Sequence, residues 1–506
     1  MQDFSNPNGA PGADPAHAMD AALYRNLVGR VADWGADYLD SLSERPVRGS
    51  GVVGDTLARL PERPPEDGLG EAGWDTILGD LDRDVVPGLV HWQHPGFFAY
   101  FSCNASAPAI AAELASATLN TNGMLWATAP AATELEMRMC DWCARLFGLP
   151  DAFRFDAGTG GGGVIQATAS EATLAALLAG RTRAVRAGAS RDRVTVYTST
   201  QAHSSVVKAA MVAGLADDPG DTSRVRTIGT DAGLRMDPGA LARAIRADVD
   251  AGLAPALVVA TLGTTSTGAF DPLGEIGAAI DASGGAPWLH VDAAWAGAAM
   301  VCPEHRGFAA GIGRADSVCI NPHKWLLTNF DCDLFWVRNA AALTGSMAIT
   351  PAYLRDKDSE SGRVVDYRDW HVPLGRRLRA LKLWFVIRHY GAAGLRAHVR
   401  RHVAMAEGIE RALRDDARFE LPFARSLGLV CFRVAGPDER TSAVVDRVNA
   451  GRRVLITPTM VPLEPGGPPR PVGRINVGTT TTDQAAVGVL LSELRAAAGS
   501  VVQSPA

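Results

Sequence analysis

Apolar residues at Leu23, Leu27, Val31, Trp34, Tyr38 and Leu42 recur at spacings of four and three, which places them on one face of an amphipathic helix beginning near Met19. Proline-rich punctuation follows at Arg45-Pro46 and from Leu60-Pro61 to Pro65, and a further helical pattern runs from Trp74 to Leu81. Residues 1–106 therefore read as a helical segment without a core of its own, to be packed on the main body or on a second subunit. From about residue 107 the pattern changes. A helix is expected over Ala131–Phe147, and short β-rich runs follow at Arg193–Thr198, Arg224–Ile228, Ala256–Leu262, Trp288–Val291, Ser317–Ile320 and Leu334–Val337. Helical stretches separate several of them: Glu171–Arg186, Ser204–Leu215, Pro238–Asp250 and Leu273–Ala282. This alternation predicts an α/β fold with a largely parallel or mixed sheet covered on both faces. A long helix is expected around Arg376–His389. Beyond it the chain takes α+β character, with strands at Gly428–Val434 and Gly473–Val477 and an exposed loop at Val461–Pro471. The expected division is 1–106, 107–390 and 391–506.

At 506 residues the chain exceeds one simple core, and its 47% hydrophobic content is ample for several. A net charge of −6 argues against a global basic field for nucleic acid. The opening residues lack both a basic n-region and an apolar h-region, so they read as a polar tail and not a signal peptide. No window reaches the length of a membrane span. A cytoplasmic protein is expected. The seven cysteines are scattered and odd in number, which fits reduced thiols. Cys140 and Cys143 form a single CxxC inside an apparent helix, with no second pair nearby, and read as buried helix thiols; no metal site is expected.

The chemistry concentrates in Asn321-Pro322-His323-Lys324-Trp325, which follows His290-Val291-Asp292-Ala293-Ala294 by one strand-loop-strand unit. Pyridoxal 5'-phosphate (PLP) needs a lysine to hold it as a Schiff base and an acid to keep its pyridine nitrogen protonated. Lys324 and Asp292 suit those two tasks. A phosphate needs N–H groups and hydroxyls at a helix start, and Thr168-Ala169-Ser170 supplies them ahead of a strong helical run. Ser170 equally suits a plain N-cap with Thr173. Gly158–Gly163 is no nucleotide-binding P-loop, because no Gly-Lys-Ser/Thr follows. His203, just after a strand, suits a stacking acid or base, or a helix-start residue facing solvent. Thr265 ends another strand with its hydroxyl available to an oxygen of substrate or cofactor.

Nine segments together resemble the group II PLP-dependent amino acid decarboxylases, in the aromatic L-amino acid decarboxylase branch: HPGFFAYF (94–101), PAATELEMRMCDW (130–142), GGGVIQATASEATLAALLA (161–179), QAHSS (201–205), ATLGTTSTGAFD (260–271), WLHVDAAWAG (288–297), NPHKWLLTNFDC (321–332), DYRDWHVPLGRR (366–377) and GLVCFR (428–433). The resemblance runs from about Trp34 to Val477. It implies a PLP enzyme of fold type I with a mixed-sheet large domain, an N-terminal helical segment and a C-terminal α+β small domain. It also implies an obligate homodimer with active sites at the subunit interface. Carried onto matching positions, Lys324 holds the cofactor and Asp292 faces its ring nitrogen. Ala169, Ser170 and Asn321 hold the phosphate, His203 stacks on the ring, and Ala294 packs on the other face. Thr265 lies near the substrate carboxylate, and His323 neighbours the lysine. Tyr353, in a polar segment suited to a mobile lid, matches the tyrosine that returns a proton to the substrate carbon. Relatives with Phe there, or Asn in place of the stacking His, become oxidative aldehyde synthases.

The resemblance also implies a ring pocket from Trp92, Tyr100, Phe101, Trp126 and Gly375, where glycine leaves room for a large ring. Three departures bear on the substrate. Ser102-Cys103 replace the family's usual Pro-Thr, and Asn122 and Met124 stand where animal relatives place Ile and Phe in a wall contributed by the partner subunit. An aminotransferase would share Asp292 and Lys324 but would need an arginine clamp and would lack the Tyr353 loop.

Overall fold

The computed structural model describes residues 20–49, 51–349 and 364–503. Its centre is a mixed sheet of seven strands: β1 (Gly162–Gln166), β2 (Val194–Ser199), β3 (Val225–Ile228), β4 (Ala254–Thr261), β5 (Trp288–Asp292), β6 (Ser317–Ile320) and β7 (Asp333–Val337), in the order β1-β7-β6-β5-β4-β2-β3. The run from β3 to β6 is parallel, whereas β7 runs antiparallel to both of its neighbours, β6 and β1. Apart from the edge strand β3, the strands are largely buried on both faces, and successive residues point to opposite sides. Val258, Leu289, Val291 and Trp336 join one buried cluster, while Leu257, Val259, Phe335 and Val337 join the other beneath the helix Ala169–Arg186. Register aligns Thr261 with Asp292 and Asp292 with Cys319. The carboxyl ends of the parallel strands thus meet at one point, where ligands bind in open α/β sheets.

Six of the seven strands fall where the pattern of β-rich runs places them; β1 does not. Its Gly162 and Gly163 read as part of a glycine-rich loop. A Cβ on Gly163 would sit 2.7 Å from the Trp336 ring and 2.9 Å from Cys140 Cβ. The helix Pro130–Phe147 packs against that strand too closely for any side chain, so the glycines mark close packing and not a turn. Cys140 and Cys143 are buried within that helix as free thiols, their pKa values pushed up by burial.

A second sheet, entirely antiparallel, holds β8 (Phe419–Glu420), β9 (Leu429–Val434), β10 (Thr457–Pro462) and β11 (Pro469–Asn476) in the order β10-β11-β9-β8. The exposed loop expected over Val461–Pro471 is incorrect. Val461 is buried and pairs with Arg470, so residues 463–468 alone connect a hairpin. The prolines misled because they look like loop punctuation. β10 is an edge strand, and the proline-bearing start of β11 pairs only with β10, so neither needs every N–H in the ladder.

The long helix runs over Ala380–Arg414, well beyond its expected end, and is interrupted at Gly391 with φ 62° and ψ 177°. The first helix, Ala21–Asp40, buries none of its residues against the chain, and Tyr24, Val31 and Leu39 are exposed. The segment His94–Phe101 is not part of the helical N-terminus in its packing. Phe98 donates its N–H to the Leu455 carbonyl, and its ring enters the core of the second sheet with Phe432 and Ile475. Among the described residues no helix is long and apolar enough to cross a membrane.

Candidate active site

One cavity of about 310 Å³ gathers Lys324, Asp292, His203, Ala169, Ser170, Thr265, Ala294, Asn321 and His323, together with Trp92, Tyr100 and Phe101. Asp292 ends β5, where its Oδ1 accepts the Ala294 N–H at 3.0 Å and faces the Cys319 thiol at 3.8 Å. His290, two residues earlier on the same face, is buried with its Nδ1 2.9 Å from Ser317 Oγ, and burial holds its pKa down at about 4. The groups behind Asp292 are therefore neutral. Lys324 lies in the one-turn helix Pro322–Trp325, directly after β6. Its N–H donates to the Asn321 carbonyl at 3.0 Å, and its Nζ stands 5.5 Å from the centre of the Phe101 ring. The neighbouring His323 is turned away from proton chemistry: its Nδ1 accepts the Cys332 N–H, and burial, with Lys324 adding to it, pushes its pKa to about 3.

The helix Ala169–Arg186 starts at the cavity with no side-chain cap from Thr168. Glu171 instead turns back to accept the Ala167 N–H at 2.9 Å. The N–H groups of Ala169 and Ser170 have no partner within the helix, so the helix presents free donors and the positive end of its dipole to the cavity. Ser170 is not the cap: it is the second helical residue, and Thr173 bonds the Ala169 carbonyl. His203 precedes the helix Ser205–Val212, exposed on one side and lining the cavity on the other, with its Nδ1 accepting the Ser205 N–H at 3.1 Å. Burial lowers its pKa, opposed by Asp292 and reinforced by Lys324.

Aromatic residues and one arginine complete the lining. Trp295 stacks on Phe101 with centroids 4.2 Å apart, and Trp92 stacks on Tyr100 at 5.6 Å. Arg474 is buried, donates to Thr457 Oγ1 and the Ser266 carbonyl, and keeps one Nη without a partner among the described residues. It reads as an ordinary strand residue from sequence; the available signal was a charge on an inward position of a buried strand. Cys103 also lines the cavity, its thiol pKa raised by burial and lowered in part by Lys324.

Four expected ring-pocket residues lie elsewhere in the chain. Asn122 Oδ1 accepts the Arg376 N–H at 2.9 Å, the Met124 carbonyl accepts the Arg368 N–H, and Gly375 lies beside Asn122. Trp126 donates its N–H to Asp366. This second patch is held by Arg376, whose buried guanidinium forks onto Glu136 at 2.6 and 3.1 Å. Tyr353 lies outside the described residues. No cluster of three His, Cys, Asp or Glu residues suited to a metal occurs among the described residues.

A lysine at one end, a carboxylate on the adjacent strand end and a helix start with free N–H groups fit PLP, and this fold and site define a PLP enzyme of fold type I. Residues 56–435 match the family model described as the pyridoxal-dependent decarboxylase conserved domain. The chain is 39% identical to the aromatic-L-amino-acid decarboxylase of Rattus norvegicus, over 96% of this chain and 99% of that one. It is 43% identical to the histidine decarboxylase of Drosophila melanogaster, over 85% of this chain and 50% of that one. Among solved structures, Oryza sativa TDC with PLP and tryptamine superposes with a TM-score of 0.90 at 37% identity, covering 97% of this chain and 99% of that one. The chain belongs to the pyridoxal-dependent decarboxylases of group II, in the aromatic-L-amino-acid decarboxylase branch, and is a PLP-dependent carboxy-lyase.

Proposed function

We propose that the protein decarboxylates aromatic L-amino acids of the tryptophan, phenylalanine, tyrosine and dopa class to the amine and CO₂. The observation that carries this reading is the aromatic wall of Trp92, Tyr100, Phe101 and Trp295 in the same cavity as Lys324 and Asp292. PLP supplies the electron sink for the pair left behind when CO₂ departs. Lys324 would hold the cofactor. Asp292 keeps a proton on the ring nitrogen. Ala169 and Ser170, joined by Asn321, would hold the phosphate, and His203 and Ala294, which line the same cavity, would flank the ring. The free Nη of Arg474 and the Thr265 hydroxyl orient the substrate carboxylate. Tyr353 returns a proton to the substrate carbon.

The protein works as a homodimer in this reading. The helix Ala21–Asp40, which fully buries none of its residues and leaves Tyr24, Val31 and Leu39 exposed, and the separation of Asn122, Met124 and Gly375 from the Lys324 cavity support it. Those three residues complete the ring pocket of the partner subunit. The division into an N-terminal segment (1–106), a cofactor domain (107–390) and a small domain (391–506) belongs to the same proposal.

The test is incubation of PLP-loaded protein with phenylalanine, tyrosine, dopa, tryptophan, 5-hydroxytryptophan and histidine, following CO₂, amine and peroxide together. Amine matching CO₂ from the aromatic rings is the expected result. Histidine as the sole substrate, or aldehyde with peroxide, would overturn it. Tyr353→Phe is expected to retain PLP and substrate binding while lowering amine formation by about 10²-fold, the scale of a lost proton donor, and to divert turnover to aldehyde and peroxide; an unchanged amine yield would remove Tyr353 from this role. The neutral His203 ring sets a further expectation. Because its pKa is lowered from 6.5, the acid limb of kcat/KM that it controls lies below pH 6.5, activity falling as the ring gains a proton. His203→Gln should lose that limb, and a profile unchanged in shape would count against His203.

A further inference from the structure

The turn that carries Lys324 is closed into a ring of buried polar contacts by residues with no assigned part in the chemistry. Trp325 donates its indole N–H to Nδ1 of His402 at 2.8 Å, and both side chains are fully buried. His402 lies on the long helix Ala380–Arg414. One helical turn earlier His398 packs its ring 4.3 Å from that of His402, and its Nε2 lies 3.1 Å from Asn104 Oδ1. Asn104 returns to the lysine turn: its N–H donates to the His323 carbonyl at 2.7 Å, and its Oδ1 accepts the Leu327 N–H at 3.1 Å. The residues on both sides of Lys324 are therefore gripped from outside. Since the indole N–H can only donate, His402 Nδ1 must accept, and since Asn104 Oδ1 can only accept, His398 Nε2 must donate. Burial keeps both rings neutral, holding His398 at about 3 and His402 well below its usual range.

The same tryptophan also leads to the amine through stacked rings. Trp325 stacks on Trp295 at 5.5 Å and 15°, and Trp295 stacks on Phe101 at 4.2 Å and 13°. Phe101 is the ring beside which Lys324 Nζ stands. One hydrogen bond thus governs both the backbone of the turn and the surface on which the amine rests.

We infer that His402 is a positioning residue for Lys324, acting by accepting the Trp325 indole N–H and so fixing the turn and the ring column beneath the amine. The inference rests on the reading of Lys324 as the cofactor lysine. Without the acceptor the indole N–H is buried and unpaired, and the indole turns to find another partner, carrying Trp295 and Phe101 with it. Asparagine places an oxygen close to the Nδ1 position and restores the acceptor, whereas leucine fills similar space without one.

The experiment compares full-length protein, unaltered and as H402L, H402N, W325F and the W325F/H402L pair. Three properties are read: the PLP dissociation constant, the visible circular dichroism of bound PLP, and the unfolding midpoint of the cofactor-free form. H402L should weaken PLP binding roughly tenfold, the scale of one buried hydrogen bond lost to a site, and diminish the visible signal. H402N should restore both to within about threefold, and in the W325F background H402L should add less than about threefold, because the donor is already gone. A merely structural role predicts a lowered unfolding midpoint with unchanged PLP affinity and signal. That result, or H402N no better than H402L, overturns the inference. An unaltered protein in which borohydride fixes no PLP on Lys324 overturns the cofactor reading itself, and this inference with it.

Discussion

Lys324→Ala lowers decarboxylation by at least about 10³-fold, because one substitution removes both the anchor for PLP and an amine that moves protons in the site. The fold survives it. Lys324 lies at the end of a one-turn helix whose backbone is held by the Asn321 carbonyl and by Asn104, and its side chain reaches into a cavity instead of filling a core. CO₂ release from tryptophan or dopa gives the rate, and mass spectrometry after borohydride reduction shows whether PLP remains attached to the peptide around residue 324. Activity within tenfold of the unaltered protein, or PLP fixed on another lysine, would end the assignment.

Asp292→Asn is expected to cost nearly as much as Asp292→Ala, which separates charge from shape. The asparagine oxygen still accepts the Ala294 N–H, now 3.0 Å from Asp292 Oδ1, so the strand end stays in place. What would disappear is the negative charge that the proposed function sets against a protonated ring nitrogen. Removing one member of a buried charged pair costs about 3–5 kcal/mol, or roughly 10²–10³·⁵ in kcat/KM. Among the described residues no nearby group takes over: His290 is held neutral, and Asp333, whose buried side-chain oxygens have no hydrogen-bond partner there, has its pKa raised well above the usual carboxylate range by burial, with Asp292 and Glu171 adding to it. PLP methylated on the ring nitrogen, which carries a permanent positive charge, should recover part of the loss. An asparagine variant within tenfold of the unaltered protein would show that the carboxylate serves only as a backbone acceptor.

The site was legible where chemistry demands a residue type at a strand end. Asp292, Lys324, His203 and Thr265 each lie at or just after a short β-rich run, so their convergence at one edge follows from the order of elements. Arg474 was not legible, since a lone arginine in a strand looks like any other until neighbouring strands bury it. The ring pocket was half legible: Trp92, Tyr100 and Phe101 meet Lys324 within one chain, but Asn122, Met124 and Gly375 form a separate patch organised by the Arg376–Glu136 pair.

The sequence by itself determined the alternation of strands and helices and the family, and singled out Lys324 and Asp292 as candidates, because local periodicity and reactive residue types are properties of short segments. Only the tertiary structure decided that the glycines at 162 and 163 form a strand, since their reason is the closeness of Phe155 to Gly162 and of Trp336 and Cys140 to Gly163. It alone decided that Val461–Pro471 belongs to a hairpin, because an edge tolerates prolines that an interior strand does not. It alone joined Trp325 to His402, 77 positions apart. Contacts of that range depend on which elements stack against which, and no local pattern encodes the stacking.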